Sequence, residues 1–380
     1  MTATDAHKDA ALVITGPPQW AGELELREPP GPEAVLLTMD QRGDVAAFSG
    51  KVEYGQGIRS GFTLAIADEL DVPLASVRVI LGDTQLVPFD RGTTGSVSTR
   101  TIGIQLRRAA ATARRTLIGL AAEEWAVPAA DLEALDGHVF RTGDPSRTVG
   151  YADLLQGKRL RVTIPEDTAI KDPERFLLMG RDAPRSDALA KVTGQARFSQ
   201  DTVVPGMLHG KVLRPPSYGA RLQQIDSTQA ERVAGVVMVV REDNFAGVIG
   251  EREDVAESAL ERIRARWQED RELPSDWDLP ALLKEKVGEL VVLREEGSPA
   301  EGFNQADQVL ESRYFVPYVS NSAMEPSAAV ASWDGDDLTI WSGDRSPFGV
   351  RDELALEFGV GEDRIHVITV DIGGSFGTKG

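Results

Sequence analysis

The chain has 380 residues of which 41% are hydrophobic, enough to bury a sizeable core and to fill two or three domains. Its 60 acidic and 41 basic residues give a formal charge of -19, which repels phosphate backbones and anionic lipid and so argues against nucleic acid and membrane insertion. Cysteine is absent, which removes disulfides, thiolate metal sites, cysteine nucleophiles and cysteine-held iron–sulfur clusters; any such electron carrier must sit on another chain. The four histidines, His7, His138, His209 and His366, form no pair at metal-ligand spacing, so no metal ligand is expected on the chain itself. The start has neither a basic nor an apolar leader region, which predicts a soluble cytoplasmic protein or a passenger exported on a signal-bearing partner.

Residues 1–25 are polar, Pro- and Gly-rich and without periodicity, and read as an N-terminal arm. From Ala34 to Phe48 the text alternates around Arg42-Gly43-Asp44, which predicts a hairpin. Ile58, Phe62, Ala65, Ile66 and Leu70 fall near helical spacing, and Val77, Val79 and Leu81 then alternate as a strand should. A long helix is predicted over 101–126. Aligned with itself, the chain shows this helix–turn–strand unit three times: Glu69, Val72, Val77 and Val79 share their spacing with Glu124, Val127, Leu132 and Ala134, and with Glu357, Val360, Ile365 and Val367. Each helix is broken by a V-P or V-G turn before a strand begins.

Residues 148–192 are loop-rich and charged, suggesting a linker into a new domain near Met179. Strands are predicted at 197–201, 206–214, 235–240 and 245–250, followed by an amphipathic helix over 254–267. A second acidic connector covers 268–280. The fold class is α+β in several domains.

Three segments rich in glycine and hydroxyl groups adjoin helices or strands. Tyr54-Gly55-Gln56-Gly57 opens the helix at 58–70, where free N–H groups and the dipole would suit a phosphate, with the Gln56 amide beside them. Alone, such a segment is equally a tight turn. Arg91 to Thr99 places five hydroxyls and two glycines ahead of the long helix, an anion cradle or simple N-capping by Ser98 or Thr99. The third, Asp371 to Gly380, follows a strand but fails the phosphate-loop spacing, because Lys379 is followed by Gly380. No G-x-G-x-x-G opens a strand–helix unit, so a Rossmann site is not supported.

Taken together, the segments around 51–83, 187–216, 322–360 and 373–379 resemble the molybdenum-binding subunit of the xanthine dehydrogenase and aldehyde oxidase family, in the chain order of the isoquinoline 1-oxidoreductase type. The resemblance covers nearly everything after residue 25, as an N-terminal half. It implies a partial molybdenum-hydroxylase large-subunit fold: an arm over 1–25, a cofactor-binding portion over 26–178, a small α/β hammerhead-like domain over 179–268 and the first part of a second cofactor-binding domain over 269–380. It further implies a molybdenum–pterin cofactor, as the cytosine dinucleotide. Gly55, Gln56 and Gly57 match the family's G-Q-G contact, Ser96, Val97, Ser98 and Thr99 its serine-rich loop, and Gly374, Phe376 and Gly377 its G-G-x-F-G segment.

By the same resemblance, the chemistry is base-assisted oxidation of an aromatic N-heterocycle or aldehyde with water as the oxygen source. The family's glutamate base lies beyond G-G-x-F-G, so no catalytic residue is assigned here. The implied partners are a second half of the molybdenum subunit, an iron–sulfur small subunit, a further electron-acceptor subunit and a small-molecule substrate. The alternative is a non-catalytic half that serves as a scaffold. Two departures stand out: Gly343-Asp344-Arg345 replaces the T-Q pair frequent in relatives, and Asn321 to Pro326 lacks their histidine before M-E-P. Glu325 of M-E-P is expected in a buried turn with a structural role.

Overall fold

The computed structural model describes residues 9–16, 34–269, 274–286, 288–289 and 291–379. The chain forms two compact units, residues 1–203 with 319–380 and residues 204–318. The first unit begins with β1 (Ala10–Thr15), β2 (Val35–Asp40), β3 (Val45–Ser49), α1 (Ile58–Leu70), β4 (Val77–Leu81) and α2 (Ile104–Trp125). A meander of β5 (Leu132–Leu135), β6 (His138–Arg141) and β7 (Asp144–Gly150) leads through α3 (Tyr151–Leu155) to β8 (Leu160–Thr163). Five strands make one mixed sheet in the order β4-β3-β2-β1-β8. Ile58, Phe62, Ile66 and Leu70 of α1 and Leu106, Ala109, Ala113 and Leu117 of α2 share one core with the sheet residues Leu12, Ile14, Leu37 and Met39.

β1 corrects the expected arm. It pairs antiparallel with β2 and parallel with β8, and Ala11 to Thr15 are buried. A strand buried on both faces carries no alternation, so its apolar run gives no period-2 signal. The rest of residues 1–25, apart from Asp9 and Gly16, lies outside the described residues.

The threefold unit forms at all three places. α1, α2 and the helix Pro347–Phe358 end on left-handed Asp71, Ala126 and Gly359. The N–H groups of Val72, Val127 and Val360 then donate back to Ala67, Ala122 and Ala355, each at 3.1 Å. This is the six-residue closure of a Schellman end. A 3₁₀ turn and a strand follow every time.

Beside the first of these ends sits a buried ionic cluster. The Glu69 carboxylate accepts Arg107 Nη2 at 3.0 Å, Arg114 Nη2 at 3.4 Å and the Lys171 N–H at 3.0 Å. Asp68 accepts the N–H groups of Leu177, Leu178 and Met179, tying the linker to α1.

The C-terminal part of the first unit is a sheet of Ala329–Asp334, Asp337–Ser342 and Ile365–Thr369 carrying the helix Pro347–Phe358. Ser199–Asp201, expected in a strand, is a 3₁₀ turn.

In the second unit, Val236–Glu242, Phe245–Gly250 and His209–Val212 form one sheet in that order. Arg221–Asp226 pairs with Arg264–Gln268. The helix expected over 254–267 covers only Glu253–Leu260, and its predicted remainder is that last strand. Arg264 to Gln268 alternate between exposed and half-buried, yet arginine and alanine favour helices, so the local text was ambiguous. Among the described residues no helix is long and apolar enough to cross a membrane.

Candidate functional site

The three segments meet in the first unit. Gly55 and Gln56 with Tyr54, Thr93 to Ser96, and Ser375 to Gly377 line one cavity of about 500 Å³, to which Arg345 also contributes. Of the expected site residues, Gly55, Gln56, Ser96, Phe376 and Gly377 are in its wall. Gly57, Val97, Ser98, Thr99 and Gly374 are not.

The positions outside the wall serve the loops. Val97 accepts the Thr101 N–H at 2.9 Å and Ser98 the Gly103 N–H at 3.0 Å, launching a π turn over Thr99–Gly103 that runs into α2. Ser98 precedes that turn without a side-chain capping bond, so simple capping does not account for it. A Cβ on Gly374 would lie 2.7 Å from the Phe376 ring, so glycine there lets the ring fold back.

The first segment is not the open anion site that its glycines suggest. The Glu53 carboxylate fills the N-terminus of α1, accepting the N–H groups of Gly55 and Gly57 at 2.9 Å and of Arg59 at 3.1 Å. The Gln56 amide is also used internally, accepting from Tyr54 N–H at 2.7 Å and donating to Val52 O at 2.9 Å. Arg185 braces the turn from outside, donating to Gly55 O at 2.9 Å and standing 3.5 Å from Glu53. The positive end of the helix is thus neutralised by the protein's own carboxylate. Sequence reasoning missed Glu53: a glutamate two and four residues before the glycines is the one hint the sequence holds, and it does not say that the carboxylate turns inward.

The second segment is anchored by a buried ion pair. Lys51 Nζ lies 2.7 Å from Asp90 and 2.8 Å from Gly92 O. Burial holds the Asp90 carboxyl above its usual range against the opposing pull of Lys51. Thr93 follows, accepting Val52 N–H at 2.8 Å through its hydroxyl and donating its own N–H to Arg345 O at 2.9 Å. Beyond it, Gly95 and Ser96 are both left-handed, at φ 64° and 55°. That turns the exposed Thr94-Gly95-Ser96 tip toward the cavity.

Glu325 clamps the third segment. Its Oε2 accepts the Gly373 N–H at 2.7 Å and pairs with Lys379, while a Cβ on Gly373 would stand only 2.4 Å from its own Cβ. The expected structural role of Glu325 has its physical basis in this packing.

Two stretches, residues 13–174 and 283–380, each match the family described as a molybdopterin cofactor-binding domain. Over 353 residues the chain is 33% identical to a nicotinate dehydrogenase polypeptide of Pseudomonas putida, covering 90% of this chain and 30% of that one. The chain belongs to the molybdopterin-binding family of xanthine dehydrogenase type. The beta chain of isoquinoline 1-oxidoreductase from Brevundimonas diminuta is 28% identical over 386 residues, covering 86% of this chain and 48% of that one. The chain therefore spans less than half the length of either relative. The crystal structure of quinoline 2-oxidoreductase from Pseudomonas putida 86 aligns with a TM-score of 0.42 at 24% identity, over 53% of this chain and 31% of that one. Within the molybdopterin-binding family frame, the first matched stretch carries the 54–57 and 91–99 segments, and the second carries Arg345 and 373–377.

Proposed function

We propose that this chain is the cofactor-cradling part of a molybdenum hydroxylase that oxidises an aromatic N-heterocycle or an aldehyde with oxygen from water. The observation that carries the proposal is the convergence of loops from both molybdopterin-binding stretches on one cavity. The donor chemistry fits the group. Among the described residues the lining holds the hydroxyls of Tyr54, Thr93, Thr94, Ser96 and Ser375, two aromatic rings and the single cation Arg345, and no carboxylate, while the Gly55 N–H and the Gln56 amide are engaged within the first segment. A polyanionic pterin phosphate is held by such N–H and O–H donors.

In this reading Gly55, Gln56, Ser96, Phe376 and Gly377 face the cofactor. Gly57, Val97, Ser98, Thr99 and Gly374 shape the loops that do. When bound, the cofactor supplies two-electron oxidation of the substrate carbon. The cytosine dinucleotide form, iron–sulfur clusters on a small partner subunit, a further electron-acceptor subunit and a cytoplasmic site belong to the same proposal. So does the division into portions 26–178, 179–268 and 269–380. With relatives two to three times as long, the base and the rest of the substrate pocket are proposed to come from polypeptide outside these residues.

The test is to co-express the chain with its neighbouring reading frames, purify the complex and assay molybdenum and cytosine nucleotide after acid release. Both are expected in near-equal amounts with the chain. An intact complex lacking both would leave the scaffold alternative standing instead.

A further inference from the structure

Arg345 lies in the loop between the strand Asp337–Ser342 and the helix Pro347–Phe358. Its backbone is held by the bond from Thr93, so the root of the side chain is fixed at the cavity wall. The neighbouring Asp344 turns its Oδ1 to the Ser346 N–H at 2.6 Å and forms no ion pair with Arg345 among the described residues. No ion pair or side-chain hydrogen bond reaches Arg345 among the described residues, and its Nε is buried without a partner.

Native structures rarely leave a buried donor without a partner, and a guanidinium with no acceptor from the protein keeps its terminal N–H groups for one from outside the chain. A guanidinium presents parallel N–H groups that match two oxygens of one carboxylate or phosphate. The other lining side chains carry no charge, and the chain as a whole stands at -19. An uncompensated cation inside such a cavity selects for an oxyanion.

We propose that Arg345 is the anion anchor of this cavity, taking two oxygens of a carboxylate or phosphate on the small molecule bound there. The inference rests on the cavity being a ligand site, as argued above, and adds that the occupant is anionic. The oxyanion has two sources, a carboxylate on the heterocyclic substrate or a phosphate of the cofactor.

Both sources are tested on the purified complex with Arg345→Gln and Arg345→Lys. One arm measures pterin released by acid per chain. The other measures calorimetric affinity for pyridine-3-carboxylate against pyridine-3-carboxamide, its neutral counterpart. If the anion is the substrate's, wild type binds the carboxylate at least tenfold more tightly, Arg345→Gln abolishes the difference and Arg345→Lys keeps part of it. If it is the cofactor's, Arg345→Gln loses most of its pterin and Arg345→Lys retains it.

Wild-type pterin content in Arg345→Gln, together with an unaltered carboxylate-to-carboxamide ratio, overturns the proposal. A wild-type complex without pterin defeats the cofactor reading alone, and the carboxylate arm then decides the role of Arg345. Matching melting temperatures of the Gln and Lys variants separate a lost anion from a lost fold.

Discussion

The N–H of Thr93 donates to the carbonyl of Arg345 at 2.9 Å, joining the two molybdopterin-binding stretches at the rim of the cavity. The same threonine accepts Val52 N–H on its hydroxyl and Tyr54 Oη–H on its carbonyl. One residue of 3% exposure thus ties its own loop to the 51–57 segment and to the loop of Arg345, with its side chain serving the Val52 bond alone. Thr93→Val keeps the shape but strands the Val52 N–H, at an expected cost of about 1–3 kcal/mol. Urea unfolding checks this, with Thr93→Ser restoring most of the loss; equal midpoints for all three proteins would show that the bond contributes nothing.

Glu69 is fully buried against Arg107 and Arg114. Removing one partner of such a pair leaves an uncompensated charge, so Glu69→Ala is expected to destabilise by about 3–5 kcal/mol. Glu124 and Glu357, at the same offset in the other two copies of the unit, are exposed. Their alanine variants should stay within about 0.5 kcal/mol of wild type. Denaturant titration of the three variants compares them directly.

Gly373→Ala places a methyl against the Glu325 side chain at 2.4 Å, between residues already joined by the Glu325 N–H bond to Gly373 O and by the Gly373 N–H bond to the Glu325 carboxylate. Overpacking of this kind costs about 1–3 kcal/mol. The melting temperature should fall, and acid-released pterin should fall with it. Gly55→Ala meets no atom within 4 Å, so its effect comes from the φ of 107° alone. A melting temperature for Gly373→Ala equal to that of wild type would rule out the clamp.

Hydrogen bonds from the Arg185 guanidinium, helped by Lys191, hold the Asp187 carboxyl well below its ordinary value of 3.8. A depressed carboxylate stabilises the fold above its unfolded value, and that contribution is lost as pH falls through the folded one. Because Arg185 is 41% exposed, the pair is worth no more than about 1 kcal/mol. The stability gap between wild type and Asp187→Asn should therefore be level from pH 8 to pH 5 and narrow below pH 4. A gap that widens on acidification would contradict the assignment. Since Arg185 also holds Gly55 O, the same window should loosen the 54–57 turn.

The helix-and-strand unit at 58–81, 104–135 and 347–369 was legible because its causes are local. A broken helix, a left-handed closing residue and an alternating strand lie within a dozen residues of one another. The three site segments were legible for a similar reason, since clustered glycines and hydroxyls mark backbone that approaches something closely. What Glu53 does with the glycine N–H groups was not legible. A carboxylate next to a helix start reads identically whether it turns inward to cap or outward to solvent.

The sequence by itself determined the local units, the α+β class and the family, because periodicity and motif spacing are properties of contiguous residues. Tertiary structure alone decided how those units were used. β4 and Ile365–Thr369 pair parallel while β5, from the same kind of unit, pairs antiparallel, and the apolar run at Ala10–Thr15 became a strand buried on both faces. It also decided that Arg345 shares a cavity with Ser96 and Phe376. Those choices depend on which distant surfaces exclude water together and which buried donors find acceptors, and neither can be read from neighbours along the chain.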